Sequence, residues 1–127
     1  MNKIIKIKKS VLNDCFLASQ NYYPFEFSCL LSESNGIIDE FVLLMQYNSK
    51  NSSSINLFNK PFDSSIIGSF HSHPNSIPYP STADNKFFKR FKVNIILSLF
   101  KNQLNEFDYY FEIYDSFSKK LNYELID

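Results

Sequence analysis

The segment Gly68-Ser-Phe-His-Ser-His-Pro74 is followed by Asn75-Ser-Ile-Pro-Tyr-Pro-Ser81-Thr-Ala-Asp84. The first segment has the apolar character of a β-strand, and its proline ends that strand. Because side chains alternate along a strand, His71 and His73 project from one face and lie side by side. The chain has only 2 histidines, and two random positions would fall two apart roughly once in 60 cases. This spacing indicates a site, although an ordinary polar strand end would also account for it.

A third candidate ligand follows the proline-rich loop Pro74 to Pro80. Asp84 lies one turn into a helix that begins at Ser81, so the loop can return its carboxylate to the histidines. Two imidazoles, a carboxylate and a water form the open tetrahedral arrangement of a catalytic zinc. The same Ser-Thr-Ala-Asp residues also match a capping box, in which Asp84 reaches back to the N-cap. A carboxylate has two oxygens, so ligation and capping are compatible.

Glu26 is the only charged residue in the apolar stretch Tyr22-Tyr-Pro-Phe-Glu-Phe-Ser-Cys-Leu-Leu31. On an alternating strand, Phe25 and Phe27 would face the core and Glu26 would face water. The local sequence alone therefore does not distinguish a catalytic carboxylate from a solvated one.

The remaining sequence predicts an α+β fold in which helices pack on a mixed sheet. Asn35-Gly36 is a tight-turn dipeptide and predicts a hairpin, and Asn48 to Ser54 is predicted as a polar surface loop. We expect a single domain over residues 1–127. The predicted strands are Ile4–Lys8, Glu26–Ser32, Ile37–Tyr47, Ile66–His73, Val93–Phe100, Phe107–Tyr114 and Lys119–Leu125, the last three joined by short turns; the predicted helices extend from Ser10, as N-cap, to before Pro24 and from Ser81 to Phe91.

Composition excludes several classes of partner. Lys plus Arg and Asp plus Glu both number 13, so the chain lacks the basic excess that nucleic-acid binding requires. No signal peptide and no apolar run of about 20 residues is present in the sequence, so we expect a cytoplasmic protein without a membrane partner. Cys15 and Cys29 are expected to be free, buried thiols instead of a disulfide. The sequence does not predict an oligomeric state.

Taken together, the motifs resemble the JAMM (MPN-plus) family. That family has an upstream Glu, then His-x-His, seven residues, Ser, two residues and Asp, and every position fits. The surrounding residues Pro-x-Glu-Phe-x-x-Leu-Leu, Gly-x-x-His-Ser-His-Pro and Phe-x-x-Arg-Phe are also similar to the small stand-alone JAMM proteins of archaea. One departure is Ser28-Cys29, where many bacterial members have Cys-Gly.

The resemblance implies a cytidine-deaminase-like JAMM/MPN fold, with a curved mixed sheet flanked by helices, and a zinc metalloprotease. It implies one zinc ion held by His71, His73 and Asp84, with Glu26 as the general base and Ser81 as the donor to the oxyanion. A nucleobase deaminase is excluded because its His-x-Glu and Pro-Cys-x-x-Cys motifs are missing. A non-catalytic MPN interaction module typically loses one or more of these five residues, and all five are present here.

The expected reaction is hydrolysis of peptide or isopeptide bonds at the C-terminus of a ubiquitin-like modifier, as in a desampylase. Release of adducts from a sulfur-carrier protein is the alternative. We expect the extended tail of the substrate to pair with a strand edge formed by residues 62–69. The proline-rich loop would form the opposite wall, with Tyr79 against the small residues that end such tails.

Overall fold

A computed structural model describes residues 4–43, 46–48, 53–55 and 64–127 of the chain. Within these ranges the chain forms nine strands and two helices. The strands are β1 (Ile4–Lys8), β2 (Ser28–Ser34), β3 (Ile37–Val42), β4 (Gln46–Asn48), β5 (Ser53–Ile55), β6 (Ile66–Pro74), β7 (Val93–Lys101), β8 (Phe107–Tyr114) and β9 (Asn122–Ile126), and the helices are α1 (Lys9–Tyr22) and α2 (Thr82–Phe88).

Seven of these strands form one mixed sheet in the order β8-β7-β6-β2-β3-β1-β9, and β4 pairs with β5 separately. The pairs β1/β3, β1/β9 and β6/β7 are parallel, and the other pairs are antiparallel. The sheet nearly closes, because Lys120 forms a bridge to Tyr114 at the end of β8 just before β9 begins. The expected curved mixed sheet is confirmed.

The short turn predicted after β8 is present, because Lys120 forms an antiparallel bridge to Tyr114 across residues 115–119. The last strand begins at Asn122 instead of Lys119, and it pairs in parallel with β1 over residues 122–126 instead of continuing beside β8. The chain forms this pairing between its two ends, which local sequence patterns do not specify.

Helix α1 packs against the inner face of the sheet. Val11 and Cys15 contribute to the main core, together with inward residues of the strands. The helix begins at Lys9 after an N-cap residue, Lys8, that makes no side-chain cap hydrogen bond, so the predicted N-cap at Ser10 is wrong. The thiols of Cys15 and Cys29 are free and buried, as expected, with their sulfur atoms 3.9 Å apart.

The hairpin predicted at Asn35-Gly36 is confirmed. These two residues have φ values of 53° and 78°, which is the left-handed pair that a two-residue turn of type I′ requires. The turn joins β2 to β3 in antiparallel register, with Ser34 opposite Ile37.

Two predicted strands have different limits in the structure. The strand expected from Glu26 begins at Ser28, and Phe25 is exposed whereas Phe27 is buried, so only Phe27 faces the core. The strand expected from Ile37 to Tyr47 is divided into β3 and β4, and residues 44–45 lie outside the described residues. The predicted loop at 48–54 overlaps β4 and β5, and its residues 49–52 also lie outside the described residues.

Helix α2 covers the outer face of the sheet, opposite α1. Phe88 packs there against Ile96 and Tyr114. The helix is shorter than predicted, because it ends at Phe88 and Lys92 already donates a backbone hydrogen bond to Ile67 on β6. The helix thus ends three residues before the predicted Phe91, and the chain turns there toward β7. In the described part of the chain, no helix has the length and apolar character needed to span a bilayer.

Strand β6 lies at the centre of the sheet, between β2 and β7. The approach of β7 is close at Gly68, where an added Cβ would lie 2.8 Å from the carbonyl oxygen of Val93. A side chain at this position would therefore push the two strands apart. Close pairing at Gly68 fixes the register of the strand that carries both histidines.

Candidate metal centre

The two histidines lie at the C-terminal end of β6, on the outer face of the sheet. Their Nε2 atoms are 3.0 Å apart. His71 is buried, and its ring centroid lies 6.1 Å from that of Phe88 in α2. Phe70, which precedes His71, points into the inner core. The alternation predicted from the sequence therefore places both imidazoles side by side beneath the start of α2.

Asp84 meets both histidines from the first turn of α2. Its Oδ1 atom lies 3.3 Å from Nε2 of His71, and its Oδ2 atom lies 3.3 Å from Nε2 of His73. The capping box also forms, because Ser81 donates its N–H to Oδ2 of Asp84 at 2.9 Å and its Oγ accepts the N–H of Asp84 at 3.1 Å. The cap fixes the carboxylate in the orientation that faces the histidines.

The spacing of these donors fits a zinc ion. Zinc binds nitrogen and oxygen ligands at about 2.0 to 2.2 Å, so ligand atoms in a tetrahedral site are about 3.3 to 3.6 Å apart. The two Nε2 atoms are 3.0 Å apart, and each lies 3.3 Å from its nearer Asp84 oxygen, Oδ1 for His71 and Oδ2 for His73, so these separations are close to this value. Two imidazoles and one carboxylate also form a recognised catalytic ligand set, which leaves a fourth position open.

The charges of the cluster formed by His71, His73 and Asp84 favour a positively charged group at this place. Burial alone would raise the pKa of Asp84, but hydrogen bonds from His71 and His73 outweigh it and hold that pKa well below its usual range. Burial alone would lower the pKa of His73, yet its hydrogen bonds to Asp84 and to the carbonyl of Ile77 raise the pKa above 6.5. A carboxylate that stays ionised next to two imidazoles is the arrangement expected of a cation site.

Glu26 lies beside this cluster, on the segment between α1 and β2. Its carboxylate oxygen and the ring nitrogens of His71 and His73 all lie within 4.8 Å of one another. Burial raises the pKa of Glu26 to about 7, with His73 opposing the increase and Asp84 adding to it. Glu26 is half-buried and faces the histidines, so the expectation that a lone Glu here would face water is wrong.

The proline-rich loop contributes an acceptor that the sequence did not reveal. The Nδ1 atom of His73 lies 3.0 Å from the carbonyl oxygen of Ile77. A carbonyl only accepts, so Nδ1 carries the hydrogen and Nε2 of the neutral ring is free to bind a metal. Tyr114 donates its hydroxyl to the carbonyl of Pro78 at 2.6 Å, and Ser98 donates its hydroxyl to the carbonyl of Ser76. These contacts fix the loop that orients His73.

The strand edge expected to receive a substrate tail is already occupied. Residues 62–63 lie outside the described residues. Gly68 and Ser69 pair with β2 on one side and with β7 on the other, and Ile66 pairs with Ser32 of β2. This prediction is wrong, because the segment leading into the histidines lies in the middle of the sheet.

The fold is shared with solved structures. A structure described as "JAMM: A Metalloprotease-like Zinc Site in the Proteasome and Signalosome" has a TM-score of 0.72 and 24% identity, covering 98% of this chain and 100% of the other. A JAB1/MPN domain protein from Archaeoglobus fulgidus has the same TM-score and identity, covering 99% and 100%. A protein from Desulfitobacterium hafniense, solved in solution, has a TM-score of 0.58 and 15% identity, covering 98% and 94%. The JAMM/MPN fold is thereby confirmed.

Comparison at the level of sequence gives the family. No curated protein matches the chain significantly. The family Prok-JAB, described as prokaryotic homologs of the JAB domain, matches residues 39–109, which is more than half of the chain. The matched segment contains His71, His73, Ser81 and Asp84, whereas Glu26 precedes it. This chain belongs to the family of prokaryotic JAB-domain proteins.

Proposed function

We propose that the chain is a zinc-dependent hydrolase of peptide or isopeptide bonds. His71, His73 and Asp84 would hold one zinc ion, and the observation that carries the proposal is the convergence of their donor atoms within 3.3 Å beside Glu26. A zinc ion bound there would supply Lewis acidity toward a water molecule and the substrate carbonyl. Membership in the JAB family and the shared fold support the proposal.

Glu26 would act as the general base. Its carboxylate would take the proton from the attacking water and deliver it to the leaving amine, so one group serves both transfers. A carboxyl group in water has a pKa near 4.3 and is a weak base. Burial raises the pKa of Glu26 to about 7, which is closer to the value that proton transfer at neutral pH favours.

Ser81 would donate a hydrogen bond to the oxyanion of the tetrahedral intermediate. Its hydroxyl oxygen already accepts the N–H of Asp84, which leaves the hydroxyl hydrogen available for a substrate oxygen. One well-placed donor of this type contributes about 3 to 4 kcal/mol to the stability of the transition state. The capping box thus holds both a ligand and the donor at the helix start.

A non-catalytic MPN module is the competing proposal. Such a module requires no base at a metal centre, and a half-buried glutamate beside two histidines would then only lower stability. In this chain Glu26 and Asp84 are both directed at the histidines. That arrangement favours an enzyme.

The substrate we propose is the C-terminal tail of a small ubiquitin-like protein joined to a lysine. An extended tail is thin enough to reach a recessed site. Since the edge of β6 is occupied, the tail would instead cross the site between the exposed side chains of Phe25, next to Glu26, and Ile77, whose carbonyl accepts from His73. Tyr79, which is exposed, remains a candidate contact at the far end of the loop.

The test uses purified protein with isopeptide-linked and linear fusions of the host's ubiquitin-like proteins, and with sulfur-carrier adducts. We expect cleavage of the isopeptide-linked fusions, loss of cleavage with a chelator, and recovery when zinc is added back. Cleavage of the sulfur-carrier adducts alone would assign the alternative substrate. Zinc-loaded protein that cleaves no member of the panel would contradict the substrate proposal.

A further inference from the structure

The segment that carries Glu26 has no regular backbone structure of its own. It lies between the end of α1 at Tyr22 and the start of β2 at Ser28. A general base must nevertheless stay within hydrogen-bond reach of the proton that it takes. Contacts made by the neighbours of Glu26 must therefore fix its position.

The first contact follows Glu26 directly. The N–H of Phe27 donates to Oγ of Ser72 at 2.9 Å, and the carbonyl of Phe27 accepts the N–H of Ser72 at 2.9 Å. Ser72 stands between the two histidines and is fully buried. Its side chain points away from the imidazoles because of strand alternation. Ser72 thus joins the residue after Glu26 to the residue between the proposed ligands.

The second contact precedes Glu26. The hydroxyl of Tyr23 donates to Oδ1 of Asn75 at 2.8 Å. Asn75 has a φ of 58° and donates its own N–H to the carbonyl of Leu99 on β7 at 2.8 Å. Its position is therefore fixed independently of Tyr23. The ring of Tyr23 also packs edge-on against Phe107, with centroids 5.1 Å apart.

We propose that Ser72, Asn75 and Tyr23 form a clamp that holds Glu26 against His73, and that they act as positioning residues for the general base. The clamp attaches the Glu26 segment on both sides, and its anchor points flank His73. The inference rests on the proposed function, because it assigns Glu26 the role of base. None of the three side chains is a proposed metal ligand, and Ser72 points to the opposite face of β6 from the histidines.

The decisive variants remove one hydrogen bond each. Ser72→Ala leaves the N–H of Phe27 without its acceptor, and Tyr23→Phe removes the donor to Asn75. We expect Ser72→Ala to lower kcat by roughly 10-fold to 100-fold, the range that a displacement of about 1 Å produces, with zinc content and KM unchanged. Ser72→Thr keeps the hydroxyl and should restore most of the activity. Tyr23→Phe should have a smaller effect, of a few-fold.

Asn75→Gly tests the second contact from the other side. Glycine adopts a positive φ readily, so this variant removes the acceptor without straining the backbone. Loss of either partner removes this hydrogen bond completely. The double variant Tyr23→Phe/Asn75→Gly should therefore have about the same kcat as each single variant, whereas independent effects would multiply.

Matched controls separate positioning from general destabilisation. Ser69→Ala removes another buried hydroxyl from the same strand, one that donates to Asn94 at 2.5 Å instead of supporting Phe27. Tyr123→Phe removes a hydroxyl from β9, at the edge of the sheet. We expect Ser69→Ala to lower the melting temperature about as much as Ser72→Ala does, and both controls to keep the wild-type kcat.

A readout that does not require turnover keeps the inference testable if no substrate is cleaved. The carboxyl carbon signal of Glu26 in NMR spectra should shift when zinc is added to the wild-type protein, because the carboxylate faces the ion. In Ser72→Ala that shift should be smaller, and amide exchange at Phe27 should be faster.

Two results would overturn the clamp. The first is a zinc-induced shift of the Glu26 signal in Ser72→Ala that equals the wild-type shift, together with a wild-type kcat. Loss of zinc from Ser72→Ala would also overturn it, because Ser72 would then act on the ligands. A zinc-loaded wild-type protein that cleaves no member of the panel would contradict the substrate proposal, and the NMR shift would still decide the clamp.

Discussion

His71, His73 and Asp84 stand on regular secondary structure, whereas Glu26 stands on a segment that is neither helix nor strand. The ligand side is set by the alternation of side chains along β6 and by the capping box of α2, both of which are local in sequence. The base side depends on contacts such as that between Phe27 and Ser72, which are 45 residues apart. The residues proposed to hold the metal can thus be recognised from a short motif, whereas the position of the proposed base depends on tertiary structure.

Replacement of the Asp84 carboxylate by an amide is expected to have the largest effect on zinc binding and turnover. Asp84→Asn replaces an ionised carboxylate that faces both histidines with a neutral group, so zinc affinity should fall steeply and turnover should be lost. Elemental analysis of protein purified without added metal measures the first effect, and a cleavage assay measures the second. Full zinc content in this variant would remove Asp84 from the ligand set.

The corresponding carboxylate-to-amide substitution at Glu26 should leave the zinc bound. Glu26→Gln is nearly isosteric but cannot accept a proton, so we expect zinc content and melting behaviour close to wild type and a loss of about 100-fold to 10,000-fold in kcat. Steady-state kinetics with parallel metal analysis test this. If Glu26→Gln releases zinc, Glu26 is a ligand and the contrast between the two sides disappears.

Ser81 belongs to both roles, as helix cap and as proposed donor, and two substitutions separate them. Ser81→Ala removes both the hydroxyl and the cap. We expect the free energy of unfolding to fall by about 1 kcal/mol and the rate of cleavage to fall by about 100-fold to 1,000-fold. Ser81→Gly should recover most of the cap stability, since glycine is a tolerated N-cap, but none of the rate. Recovery of rate in Ser81→Gly would show that only the cap matters.

The smallest predicted effect is a pH dependence of stability in the metal-free protein. The pKa of Glu26 is raised from 4.5 to about 7, so the folded state binds this proton more tightly than the unfolded state. Its stabilising contribution is complete below about pH 4.5 and is lost as the pH rises through 7. The raised pKa of His73 also makes the fold less stable as the pH rises above 6.5. The lowered pKa of Asp84 stabilises the fold above pH 3.8, and this contribution does not change between pH 4.5 and 8.

Chemical denaturation at several pH values measures this dependence. Between pH 4.5 and 8 the free energy of unfolding should fall by about 1 to 2 kcal/mol because of Glu26, after allowance for its partial exposure. Glu26→Gln should flatten the decrease. An equal slope in wild type and variant would show that Glu26 is not desolvated.

The placement of the proposed ligands could be predicted from the sequence because each position depends on a local rule. Alternation along one strand places His71 beside His73, and a capping box places Asp84 at the helix start. The Asn35-Gly36 turn is local in the same sense. These features require only neighbouring residues, and the structure contains all of them.

The remaining features depend on which strands pair, and local patterns do not determine that. The pattern of residues 62–69 predicts a strand edge, but β2 and β7 pair with the two sides of this segment at Gly68 and Ser69. Ile77 shows no sequence signal of its contact with His73, since any residue of the loop has a carbonyl. Strand β9 joins β1 because the sheet curves until its edges approach.

The central claim is that His71, His73 and Asp84 together hold one zinc ion. The most direct test is the zinc content of wild-type protein and of the His71→Ala/His73→Ala double variant, both purified without added metal and compared at equal protein concentration. We expect about one zinc per wild-type chain and close to none in the double variant, with the fold of the variant confirmed by circular dichroism. Equal zinc content in the two proteins would contradict it.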